Sequence, residues 1–109
     1  MELAFSSPSL RTICEDEARA ENELGSEVAE VLKRRLADMR AATSLIDIVV
    51  GQPRELDGAD RKLMAIDLCE NYRIVFCPNH PKSLMIGISE SEWSKVTRLR
   101  ILRIERDDG

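Results

Sequence analysis

At 109 residues, with 43% hydrophobic and 33% charged residues and a net charge of −4, the chain describes one folded domain (1–109) with a single modest core. No apolar run approaches the roughly 20 residues of a bilayer span, and nothing near Met1 resembles the basic opening of a secretory leader. A cytoplasmic protein without membrane contact is therefore expected. The negative balance argues against broad nucleic-acid binding, but it is uneven: residues 1–50 carry 6 Lys+Arg against 10 Asp+Glu, and residues 51–109 carry 10 against 10. The second half is free to present a local basic face.

In chain order, Glu2–Phe5 reads as a short opening strand. Ser7-Pro8 then predicts a helix start, with Ser7 as N-cap and Pro8 in the first turn. Leu10, Ile13 and Cys14 give that helix one apolar face, and Gly25 ends it. A second helix is predicted from about Glu27 to Ala42, burying Val28, Leu32, Leu36 and Met39. Its Lys33-Arg34-Arg35 run and Arg40 suit a solvated face or contact with phosphate or an acidic partner. Leu45–Val50 is too short for periodicity to separate strand from helix. Gly51–Gly58 reads as a loop.

Strand patterns follow. Met64, Ile66 and Leu68 alternate with Ala65, Asp67 and Cys69, and Tyr72, Ile74 and Phe76 alternate with Arg73, Val75 and Cys77. Glu70-Asn71 between them predicts a tight hairpin, with Asn71 supplying positive φ. Cys77–Ser83 reads as a loop, and Leu84–Ile88 as a further strand or the apolar part of a longer insertion. Trp93 is expected to pack under a loop. It leads into Leu99–Ile104, which carries apolar residues on both faces: Leu99 and Ile101 on one, Leu102 and Ile104 on the other. Such a strand belongs in the interior of a sheet.

Cys14, Cys69 and Cys77 are odd in number, without Cys-x-x-Cys spacing, and read as structural thiols. With a single histidine, His80, no metal site and no cofactor are predicted.

A collinear set of residues spans nearly the whole chain: Leu36-Ala-Asp-Met-Arg-Ala-Ala42, Arg54-Glu-Leu56 with Gly58 and Asp60-Arg61, Leu68 with Tyr72-Arg73-Ile74 and Phe76-Cys-Pro78, and Trp93-Ser-Lys-Val96 leading to Arg100-Ile-Leu102 and Ile104. In this order the set resembles the RelE/ParE toxin superfamily, closest to its HigB-like branch, the plasmid maintenance killer proteins of type II toxin–antitoxin systems. The resemblance implies an α+β, RelE-like fold: a short N-terminal strand and two helices packed on a mainly antiparallel sheet of about four strands. It also implies a ribosome-dependent mRNA endonuclease, or mRNA interferase, that inhibits translation. In that reaction the ribose 2′-OH is deprotonated and attacks the adjacent phosphate, without a metal. The implied partners are the ribosome with its mRNA and a cognate HigA-like helix-turn-helix antitoxin.

Carried over by that resemblance, Arg73 is the phosphate-contacting arginine, a role that suits guanidinium geometry. Arg54 stands where many relatives read His-Glu-Leu. It cannot serve as a base because it stays protonated, but it can hold a phosphate. Where relatives end in Asp-Tyr-His, this chain has Arg106, Asp107 and Asp108. The candidate catalytic set is thus Arg73, Arg54, Asp107 and Asp108, with Arg61, Lys62, Lys95 and Arg98 as candidate RNA-binding residues. The missing aromatic and imidazole groups keep a second class open: a catalytically degenerate or ParE-like member acting by contact with an antitoxin or DNA gyrase.

Overall fold

Ser7 starts the first helix through its own hydroxyl, which accepts the Leu10 N–H (3.1 Å) while Pro8 occupies the first turn. The computed structural model describes residues 1–56, 63–79 and 90–107. In it this helix ends earlier than its apolar pattern suggests: α1 spans Pro8–Glu15 and α2 spans Glu17–Leu24. Asp16 divides them. It sits at φ −111° and ψ 110°, and its carboxylate accepts the N–H groups of Ala18 (3.0 Å) and Arg19 (3.2 Å). A short acidic side chain competes for backbone donors and so serves better as a cap than inside a helix. Gly25, at φ +88°, turns the chain into α3, Ser26–Ala41. The expected two helices are therefore three.

Five strands form one mixed sheet: β1 Glu2–Phe5, β2 Arg54–Leu56, β3 Leu63–Asp67, β4 Tyr72–Pro78 and β5 Arg98–Arg106. The order is β1-β5-β4-β3-β2, with β1 parallel to β5 and every other pairing antiparallel. The fold is α+β, with five strands where about four were expected. The additional one is β2, whose three residues are too few to show alternation. Leu45–Asp47 is a 3₁₀ turn, not a strand. The Asp47 carboxylate accepts the N–H groups of Thr43 (3.2 Å) and Ser44 (3.3 Å) and fixes the turn. Leu84–Ile88 lies outside the described residues.

The helices cover one sheet face. Leu10, Val28, Leu32, Leu36 and Met39 pack against Met64, Ile66, Ile74, Phe76, Leu99 and Ile101. Trp93, in the 3₁₀ segment Glu90–Lys95, is 9% exposed and part of this core. The amino group of Met1 donates to the carbonyls of Met39 (3.2 Å), Arg40 (2.8 Å) and Ala42 (2.6 Å). These are carbonyls that the end of α3 leaves without helical partners, and a cation suits that end of the dipole.

β5 is an interior strand, as expected, but its facing differs from simple alternation. Phe76 pairs with Ile101 and Val75 with Arg103, so Leu102 is an extra residue, a β-bulge. Ile104 consequently pairs with Ile74 on the helix side, the same side as Ile101, rather than opposite to it. Past the bulge, Arg103 and Glu105 turn to the face away from the helices.

Candidate phosphate-binding face

Strand alternation and the bulge together assemble one charged surface on the sheet face opposite the helices. Along one row Asp67 on β3, Arg73 on β4 and Glu105 on β5 lie side by side. Along the next, Arg54 on β2 and Arg103 on β5 flank Ala65 and Val75, both fully buried. Arg100 follows on β5, opposite Cys77. Four arginines from three strands thus share this face.

Arg73 is at its centre and is the most enclosed of the paired arginines, with 17% of its side chain exposed. Its Nη2 donates to Glu105 Oε2 (3.2 Å) and its Nη1 to Asp107 Oδ2 (3.3 Å), while the buried Nε has no hydrogen-bond partner among the described residues. Arg54 Nη2 donates to Asp67 Oδ1 (3.0 Å), and Arg103 Nε donates to Glu105 Oε1. Each positive group therefore alternates with a negative one: Arg54, Asp67, Arg73, Glu105, Arg103, with Asp107 beside Arg73. The Arg103 hydrogen bond, reinforced by Arg73, holds the Glu105 carboxyl below the usual glutamate range against an opposing effect of burial.

Backbone and helix contacts brace this arrangement. Arg35 on α3 donates from Nε to the Asp67 carbonyl (3.1 Å), and the Asp67 N–H donates to the Gly51 carbonyl (2.6 Å). Gly51 has φ +86°, and a Cβ there would stand 2.9 Å from the Asp67 carbonyl oxygen and 3.0 Å from Arg35 Nε. At the other end of the row, the Asp107 N–H donates to the Asn71 carbonyl (2.6 Å), which ties the end of β5 to the β3–β4 turn. That turn holds both Glu70 (φ +53°) and Asn71 (φ +66°) in the left-handed region, the signature of a type I′ hairpin.

Of the residues singled out in the sequence, Arg54, Arg73 and Asp107 meet here. Arg61, Lys62, Asp108 and His80 lie outside the described residues. Lys95 ends the 3₁₀ segment Glu90–Lys95, outside the strands that form this face. Arg98 is at the opposite end of β5 from Glu105, about 23 Å away at strand rise, and pairs with Glu2 (3.2 Å) beside Met1, Arg40 and Asn79. Sequence reasoning missed Asp67, Arg100, Arg103 and Glu105 as members of the face. The signal was present: the run Leu99-Arg-Ile-Leu-Arg-Ile104 breaks strict alternation with two adjacent apolar residues, Ile101 and Leu102, and the bulge falls there.

No family model matches the chain, and neither a curated protein nor a solved structure matches it.

The thiols stand apart from this chemistry. Cys14, Cys69 and Cys77 are all free. Burial pushes the Cys14 thiol up to about 11 against a smaller opposing effect of Arg40, so it stays protonated at neutral pH. Among the described residues, no group of three His, Cys, Asp or Glu side chains is arranged to hold a metal ion.

Proposed function

We propose that this chain is a RelE/HigB-like toxin, a ribosome-dependent mRNA endonuclease neutralised by a cognate helix-turn-helix antitoxin. The observation that carries this reading is the convergence of Arg54, Arg73, Arg100 and Arg103 on one sheet face with carboxylates interleaved. The resemblance in sequence order supplies the reaction, and a short N-terminal strand with helices on one face of a mainly antiparallel sheet is in keeping with the finer RelE-like reading of the fold.

In this mechanism Arg73 and Arg54 hold the scissile phosphate, and Arg103 adds positive charge beside it. Asp107 takes the proton from the ribose 2′-OH. The 2′-oxygen forms a bond to phosphorus, the bond to the 5′-oxygen breaks, and solvent water protonates the departing oxygen. The products are a 2′,3′-cyclic phosphate and a 5′-hydroxyl. Guanidinium groups stabilise the charge that builds on the phosphoryl oxygens, an electrostatic contribution that a fixed site makes without reorganising. Among the described residues no group is assigned as the acid, and a site working without one is slower by a factor of roughly 10²–10⁴ than a site with an acid–base pair, so slow turnover belongs to this reading.

A second reading, binding to a protein target without RNA cleavage, is favoured by two observations. Arg54, Arg73 and Arg103 are already paired with carboxylates, and Tyr72 faces the helix side, in register with Ile74 and Phe76. The two readings separate in a reconstituted translation assay. Cuts within the codon held on the ribosome, lost in Arg73→Ala with the fold retained, support the nuclease. Intact mRNA with the wild-type protein rejects it.

A further inference from the structure

We propose that Asp107 is a built-in competitor for phosphate at Arg73: in the resting protein its carboxylate occupies the Nη1 edge of the guanidinium, and it must swing away before a phosphodiester can bind there. This rests on the reading of Arg73 as the phosphate-binding residue.

Arg73 donates to two carboxylates that are held very differently. Glu105 stands directly across the strand pair, keeps 28% of its side chain exposed, and is gripped a second time by Arg103. Asp107 follows the last residue of β5, keeps 48% of its side chain exposed, and makes its one described side-chain contact to Arg73. Its backbone is fixed by the hydrogen bond to Asn71, so the side chain can leave by rotation while the chain stays in place. Exchange at Nη1 therefore costs one half-exposed ion pair, which is weak. Exchange at Nη2 would break a doubly held carboxylate and strand it beside Arg103. Of the two positions, only Nη1 is available to an incoming anion.

A carboxylate and a phosphodiester each present an anionic oxygen that accepts from a guanidinium N–H, and Asp107 makes one such hydrogen bond, Oδ2 to Nη1. Asp107 thus acts as an intramolecular mimic of the ligand. Once displaced, it remains tethered next to the bound phosphate, where the base of the proposed reaction is needed. The same residue then weakens binding and performs the chemistry.

The test is a double-mutant cycle read by fluorescence anisotropy. The probe is a labelled single-stranded RNA, 2′-O-methylated throughout so that it cannot be cut, at low salt. Asp107→Asn keeps the size of the side chain and removes its charge, and is expected to tighten binding about three- to fivefold, the order of a lost exposed pair. Arg73→Ala is expected to weaken binding and to erase the effect of Asp107→Asn. Binding seen only in Asp107→Asn also supports the proposal. Unchanged or weaker binding in Asp107→Asn overturns it, and so does equal tightening in the Arg73→Ala background, which is a general charge effect. Absence of binding in both the wild type and Asp107→Asn overturns it as well. If Arg73→Ala leaves affinity unchanged, the phosphate-binding reading of that arginine fails with it. If Arg73→Ala weakens binding but Asp107→Asn does not tighten it, only the competitor role fails.

Discussion

Arg73 carries two roles, and each has its own measurement. As the central cation it fixes Glu105 and Asp107, and as the proposed phosphate ligand it stabilises the transition state. Arg73→Ala is expected to lower cleavage by about 10²-fold or more, the usual effect of removing one preorganised donor, while far-UV circular dichroism stays native. Arg73→Lys is expected to recover little, because an ammonium is a point charge that cannot reproduce the planar fork. Glu105 gives a separate prediction in pH. Its carboxyl titrates below the ordinary 4.5 in the folded protein, so its pairing with Arg103 and Arg73 stabilises the fold fully above that value and is lost as pH falls through the lowered one. The difference in Tm between wild type and Glu105→Gln is expected at neutral pH and should close on acidification below 4.5. A gap that persists in strong acid would mean that the substitution acts through packing rather than charge.

At the scale of elements, the charged face depends on one bulge and two strained turns. The Leu102 bulge puts Arg103 and Glu105 beside Arg73, and strict alternation would have sent Ile104 to solvent instead of the core. Gly51 permits the close approach of its own backbone to Asp67 and Arg35. Gly51→Ala combines a positive φ with contacts at 2.9 and 3.0 Å, and is expected to destabilise the protein by about 1–3 kcal/mol, read as a lower denaturation midpoint. Glu70 sits at φ +53° with no glycine-like freedom, so Glu70→Gly should raise Tm by about 2–4 °C. An unchanged or lower Tm would mean that the hairpin gains more from the Glu70 side chain than it loses to backbone strain. These elements also show which parts of the fold could be read from sequence. The capped start at Ser7, the apolar stripe of α3 and the β3–β4 hairpin follow from local rules and lie where those rules put them. The break at Asp16, the three-residue β2 and the bulge do not, because each depends on a hydrogen bond or a register that period counting over a short window cannot resolve. Likewise, Arg54, Arg73 and Asp107 were legible as candidates, whereas Asp67, Arg103 and Glu105 became visible only once the register was known.

For the whole molecule, the net charge of −4 conceals the organisation that matters. The acidic excess lies in the first 50 residues, while arginines from β2, β4 and β5 gather on the sheet face that the helices leave uncovered. Arg54, Arg73 and Arg103 are paired with carboxylates, which reduces the net field of the resting face, and on the proposed reading an RNA phosphate replaces a partner already in place. This predicts a shallow dependence of RNA affinity on salt, because each displaced carboxylate takes up a cation and offsets the counterions released from the RNA, and a steeper one in Asp107→Asn. Equal slopes in the two proteins would contradict it. Cutting of mRNA on the ribosome by this face is tested by inducible expression of the chain in bacteria without a partner, followed by mapping of mRNA 5′ ends. Growth arrest with new 5′ ends inside translated codons is expected, both lost in Arg73→Ala. Growth arrest with intact mRNA, or cuts that persist in Arg73→Ala, would contradict it.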